Sequence, residues 1–260
     1  MKILVTFALD EEFAPWRDLR KFERQKRGAG DAYITQIGEA EVCVMLTGVG
    51  AKQTNFEFPC DAWAGTEGLG FCVSSGLAGA LRPEYKLGQV LAARSVSAFS
   101  HEAGAAGQTL ECSASLVSFA SECGATLANR FYTSGCVIAR AEEKRDLGRS
   151  SDAVEMESAG ILRAAMEDGI PAVAIRAISD LADEDLPLDM TGLFSQEGRV
   201  SVPRVISQVA LHPAAIPGLV KLGKQSKIAA ESLAKFLDQY VGIVAGRIKV
   251  LESKVEVAAR

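Results

Sequence analysis

DAVEMESAGILRAAMEDGIPAVAIRAISDLAD, residues 152–183, is the stretch from which the fold can be read. Ala153 and Val154 form a short apolar entry to Glu155-Met156-Glu157, after which Ile161, Leu162, Ala165 and Met166 recur at helical spacing. Gly169 and Pro171 stop that helix. Ala172 to Ile178 is an apolar run rich in β-branched residues, interrupted by Arg176 and followed at once by Ser179-Asp180. Such a run predicts a buried strand that ends in a polar pair. The unit is therefore strand, helix, strand, with acidic residues just past the strand ends, where open α/β sheets bind their ligands. Taken singly, Glu155 and Glu157 suit the positive end of a helix, and Asp180 suits a cap on the turn that follows. Together they place three carboxylates at one rim.

Working outward, Ile3 to Leu9 predicts a first strand that meets Asp10-Glu11-Glu12 before the helix-like FAPWRDLRKF. Lys21 to Gly30 predicts a charged loop, and Ala32 to Ile37 with Glu41 to Thr47 a strand pair turned at Gly38-Glu39. Gly48-Val49-Gly50 precedes a candidate helix, AKQTNFEF, but lacks the third glycine of a dinucleotide fingerprint and the Gly-Lys-Ser/Thr of a phosphate loop. Gly70 to Ser75 predicts another buried strand. It leads into Gly76-Leu77-Ala78-Gly79-Ala80, expected to be a turn whose amides approach a ligand. Neither Ser74 nor Ser75 has the flanking glycines of a hydrolase nucleophile elbow.

Further along, Gln89 to Phe99 and Arg130 to Ile138 predict strands, separated by a short loop at His101 to Gln108 and a helix at Ser115 to Cys123. Ala141 to Leu147 predicts a polar helix, and Val200 to Val209 and Leu219 to Tyr240 amphipathic helices separated by HPAAIPG. Ile243, Ile248, Leu251 and Val255 continue at helical spacing, which predicts a packed or interface helix in a C-terminal extension over 241–260, after a main domain over 1–240.

With 260 residues and 48% hydrophobic content, the chain can bury one large core. Lys+Arg 28 against Asp+Glu 33 gives a net charge of −5, which argues against nonspecific nucleic-acid binding because no basic excess exists to displace counterions. The six cysteines form no CxxC pair, and His101 and His212 are the only histidines, so reduced thiols are expected and a zinc site is not. The opening apolar run reaches acidic residues too early for a signal peptide, and no segment is long enough to span a bilayer. The expected location is the cytoplasm.

VEMESAGI followed about twenty residues later by RAISDLAD resembles the nucleoside phosphorylase and nucleosidase superfamily, and is most similar to its methylthioadenosine/S-adenosylhomocysteine nucleosidase branch. The C-terminal part, with its proline-containing linker and following helix, resembles the hopanoid-associated phosphorylases of the same superfamily. The resemblance implies an α/β single domain of three layers, a central mixed and twisted sheet flanked by helices. It also implies a homo-oligomer, a dimer or larger, and a reaction that needs no metal or organic cofactor.

What the resemblance implies about the site is specific. Asp180 is the acid to the departing purine, with Ser179 supporting it, while Glu12 and Glu155 hold and activate a water. Glu157 takes the sugar hydroxyls and Met156 packs on the ribose face. Gly76 and Leu77 line the ribose and phosphate or water region, and Val137 and Ile138 fall where relatives stack an aromatic on the base. Arg176 orients the carboxylates. The chemistry resembles glycosidase catalysis, an acid on the leaving group and carboxylates near a cation-like sugar. Burial beside an apolar strand is expected to keep a proton on Asp180 near neutral pH.

The expected function is cleavage of the N-glycosidic bond of a purine nucleoside, adenine first, by water. The sequence departs from its relatives at Leu77, where they carry Ser or Thr, and at Ser74, where hexameric purine phosphorylases carry Arg. Both departures remove charge-assisted phosphate donors and favour water as the nucleophile. Arg94 and Arg140 remain candidates for another anion site, so phosphorolysis stays open, as does a non-catalytic nucleoside-binding protein.

Overall fold

The computed structural model describes residues 1–27, 30–50, 68–98, 108–187 and 213–258. The strands are β1 (Lys2–Phe7), β2 (Glu23–Arg27), β3 (Gly30–Ile37), β4 (Ala40–Leu46), β5 (Leu69–Ala80), β6 (Val90–Ala98), β7 (Thr109–Glu111), β8 (Thr126–Thr133), β9 (Ala153–Glu155) and β10 (Ala172–Asp180). The helices are α1 (Asp10–Leu19), α2 (Ala114–Glu122), α3 (Ala141–Leu147), α4 (Ser158–Glu167) and α5 (Ile216–Ala258).

The ten strands of the described residues join one mixed sheet, in the order β10-β6-β8-β9-β5-β1-β4-β3-β2 with β7 on β6. An additional pairing of β10 with β5 brings the ends of part of that path together, so β5 has β1, β9 and β10 as neighbours. β1 runs parallel to β4 and β5, and β5 parallel to β10, so these strands end on the same side. β9 runs antiparallel to β5. Every residue of β10 is buried, as a strand covered on both faces requires. Helices flank the sheet, giving the α/β architecture expected from the sequence.

The core gathers Ile3, Val5 and Phe7 of β1, Phe71 and Val73 of β5, Val173 to Ile175 of β10 and the inner stripe of α5. That stripe (Ala229, Leu233, Leu237, Tyr240, Val241, Val244) recurs at three- and four-residue spacing. It packs on α1 and β10. Trp16 Nε1 donates to Asp238 at 3.1 Å, and Arg20 pairs with the same carboxylate, so α5 clamps the helix that carries Glu12. Among the described residues, no helix is long and apolar enough to cross a membrane.

Several elements differ from the sequence expectation. Glu23–Arg27, expected as loop, is the strand β2 at the end of the sheet order, where charged side chains on an edge replace the apolar alternation that would announce a strand. The expected turn at Gly76–Ala80 is the continuation of β5, because β9 and β10 extend its ladders on both sides. The strand expected at Arg130–Ile138 is β8, which starts at Thr126 and ends at Thr133, leaving Val137 and Ile138 in the connection to α3. α5 is unbroken from Ile216 and passes position 240 without interruption. The candidate helices at 51–58 and 200–209 and most of the His101 loop lie outside the described residues.

Candidate functional site

Glu12 stands two residues into α1, just after β1, and its side chain turns back on the chain. Its Oε2 accepts the amides of Ala8 at 3.0 Å and Leu9 at 3.2 Å, the N-terminal side of the helix that a carboxylate satisfies best. Its Oε1 accepts the Leu77 amide at 3.1 Å, across from β5. Gly76 makes this approach feasible: with φ of 146°, a Cβ there would lie 3.3 Å from both carboxylate oxygens. The amides of this glycine-rich segment were expected to face a ligand. Leu77 instead spends its N–H on holding Glu12. Burial raises the Glu12 carboxyl above its ordinary value, against the opposing charge of Arg176 and the three amides.

Glu155 closes β9 with its side chain fully buried. One oxygen accepts the Thr133 hydroxyl. The other accepts the amides of Glu157 at 3.0 Å and Ser158 at 2.8 Å and the Arg176 guanidinium at 2.6 Å. These four contacts anchor Arg176 and the start of α4.

Arg176, wholly buried in β10, also donates to the Ser74 carbonyl at 2.7 Å and the Ser74 hydroxyl at 3.2 Å. Ser74 in turn meets Ser158 at 3.0 Å. Glu157 is held more loosely, accepting the Gly50 amide at 3.2 Å and lying 3.7 Å from Arg176. Burial and the neighbouring Glu155 charge push its carboxyl up to about 8, with Arg176 opposing.

Asp180 is the last residue of β10, where the register with β5 slips between Ile178 and Asp180 and sets the carboxylate against Gly79. A Cβ at Gly79 would stand 2.8 Å from Asp180 Oδ2, so only glycine allows that approach. Ser179 Oγ donates to Oδ1 at 2.9 Å. Asp180 is buried at the end of the apolar strand, as expected, and the Lys144 ammonium also donates to its Oδ2 at 2.5 Å.

The contacts thus tie Glu12 to Leu77, Asp180 to Gly79, and Glu155 and Glu157 to Arg176, all on β5 and its neighbours. Met156 is half-buried beside this group, and Leu77 is half-buried over Glu12. Val137 and Ile138 are half-buried past the end of β8, in the connection to α3, and Arg94 and Arg140 are exposed. Sequence reasoning missed Lys144, Thr133 and Ser158. Lys144 sits in the charged run EEKRD, which reads as a solvated face; its three-residue spacing from buried Ala141 is the signal that it faces inward. Beside the Arg176–Glu155 pair stand two further carboxyl groups, Glu12 and Glu157, both raised by burial with Arg176 opposing.

The fold is similar to that of a futalosine hydrolase mutant from Helicobacter pylori, with a TM-score of 0.68 and 20% identity over 93% of this chain and 98% of that chain. It is similar also to 5'-methylthioadenosine/S-adenosylhomocysteine nucleosidase from Helicobacter pylori with butyl-thio-DADMe-Immucillin-A (TM-score 0.66, 21% identity, 93% and 97% covered). A putative 5'-methylthioadenosine/S-adenosylhomocysteine nucleosidase from Francisella philomiragia gives a TM-score of 0.68 at 20% identity, with 92% and 98% covered. Residues 2–210 match the family model described as the Phosphorylase superfamily, and with its mixed sheet and the acidic residues at the strand ends, this chain belongs to that superfamily.

Proposed function

We propose that the chain hydrolyses the N-glycosidic bond of a purine nucleoside, with adenine as the departing base. Asp180, steadied by Ser179, gives a proton to a base nitrogen as the bond to the sugar breaks and its electron pair leaves with the base. Glu12 holds a water and takes its proton as the oxygen bonds to the sugar carbon. Glu157 accepts the ribose hydroxyls, Met156 covers the ribose face, and Val137 and Ile138 offer aliphatic contact to the base. Glu155 holds Arg176 in place beside them.

The observation that carries this reading is the attachment of Glu12 and Asp180 to one strand. The first is held by the Leu77 amide and the second sits against Gly79, two residues on. Two residues of strand are about 7 Å, room for a sugar carbon and a water between an acid and a base. Asp180 uses one lone pair on each oxygen for Ser179 and Lys144, and a carboxylate has about four, so a position for the transferred proton remains.

Release of free adenine from a panel of adenine nucleosides, followed with and without phosphate, tests the reaction. Hydrolysis predicts phosphate-independent release of free sugar. Turnover that rises with phosphate and yields a sugar 1-phosphate would replace it with phosphorolysis, and binding without release would make the chain a nucleoside-binding protein. Asp180→Asn should lower kcat by about 10²- to 10⁴-fold with the fold intact by circular dichroism. Unchanged turnover in that variant would reject the assignment.

A further inference from the structure

Lys144 is 0% exposed, an uncommon fate for a lysine, and its three ammonium protons are all used. Besides Asp180 Oδ2 at 2.5 Å they reach the carbonyls of Leu181 at 2.9 Å and Glu184 at 3.0 Å. Burying an ammonium and a carboxylate together is costly and stabilises a fold little, so a pair built this closely beside a reacting group invites a chemical role.

The other charged groups nearby have their own partners. The Glu184 carboxylate turns to Lys221 at 2.6 Å and Gln225 at 3.0 Å on α5. Asp185 accepts the Ala141 amide at 2.7 Å, at the start of α3. Asp152 takes the Tyr85 hydroxyl at 3.1 Å and lies 2.9 Å from Arg82, and Arg176 is committed to Ser74 and Glu155. Among the described residues, Lys144 is the cation in hydrogen-bond contact with Asp180.

We propose that Lys144 is a positioning residue that sets how readily Asp180 releases its proton to the departing base. The inference rests on the reading in which Asp180 is the acid. When the Asp180 proton moves to the base, a carboxylate is left in a buried place, and the Lys144 ammonium stabilises it at 2.5 Å. The three contacts also fix the Leu181–Glu184 turn against α3 and so hold Asp180 in its rotamer.

The test is the kcat and KM of the wild-type chain, Lys144→Gln, which keeps donors without charge, and Lys144→Arg, which keeps the charge. Lys144→Gln should lower kcat by about 10-fold or more with KM little changed. Lys144→Arg should recover most of that loss. Should Lys144→Gln fail to fold in a thermal melt, Lys144→Met supplies the neutral variant with a chain of similar length. An unchanged kcat in the neutral variant, or an equal loss in Lys144→Arg, overturns the inference while an inactive Asp180→Asn keeps the acid assignment standing. Full activity of Asp180→Asn overturns both.

Discussion

Glu155 and Glu157 lie two positions apart and both face Arg176, yet the fold treats them oppositely. Glu155 receives a hydroxyl, two amides and a guanidinium. Glu157 receives one amide and stays 3.7 Å from the same arginine. Burial and the neighbouring Glu155 charge push Glu157 up to about 8. The well-donated carboxyl is committed to holding Arg176 and the start of α4, and the under-donated one has lone pairs to spare.

The strongest way to break that contrast is to neutralise the anchor. Glu155→Gln leaves the buried Arg176 charge without its closest partner and should cost about 3 to 5 kcal/mol of stability in urea unfolding. A loss no larger than that of Glu157→Gln would show that the two are equivalent after all.

Glu157→Gln should behave in the opposite way. In the folded chain this carboxyl holds its proton up to about 8, against an ordinary value of 4.5, so the folded state binds the proton more tightly. Its contribution to stability is complete below 4.5 and lost as pH rises through about 8. Wild-type stability should therefore fall between about pH 4.5 and 8 and level off above, where Glu157→Gln, which has nothing to titrate, should exceed it by about 3 to 5 kcal/mol while losing substrate affinity. Parallel stability curves for the two chains from pH 6 to 9 would remove Glu157 as the titrating group.

The smallest effect sharpens the comparison with Glu12, which has three amides yet is still raised by burial. Gly76→Ala forces a side chain onto backbone at φ of 146° and against both Glu12 oxygens. It should cost about 1 to 2 kcal/mol in a thermal melt and reduce kcat more than KM. Full activity would mean that the proposed water site tolerates displacement of Glu12.

Much of this was legible beforehand for local reasons. Ala172 to Ile178 reads as a buried strand because a strand covered on both faces is apolar throughout, and Ile161 to Met166 reads as a helix because one face repeats. β2 was not legible, since an edge strand carries charges on purpose and Glu23–Arg27 has no apolar alternation. Gly76 to Ala80 suggested a turn because glycines there look like punctuation. They are instead places where Glu12 and Asp180 come too close to β5 for any side chain.

The order of residues by itself determined which segments become strands and helices, which carboxylates stand at strand ends, and that the chain carries the pattern of a nucleoside-cleaving family. Only the tertiary structure decided the electrostatic character of each acid: Arg176 and Thr133 for Glu155, a single amide for Glu157, Lys144 for Asp180. Secondary structure follows from periodicities a few residues long. Whether a buried carboxyl is charged depends on donors brought from strands and helices far away along the chain, and no local pattern encodes that meeting.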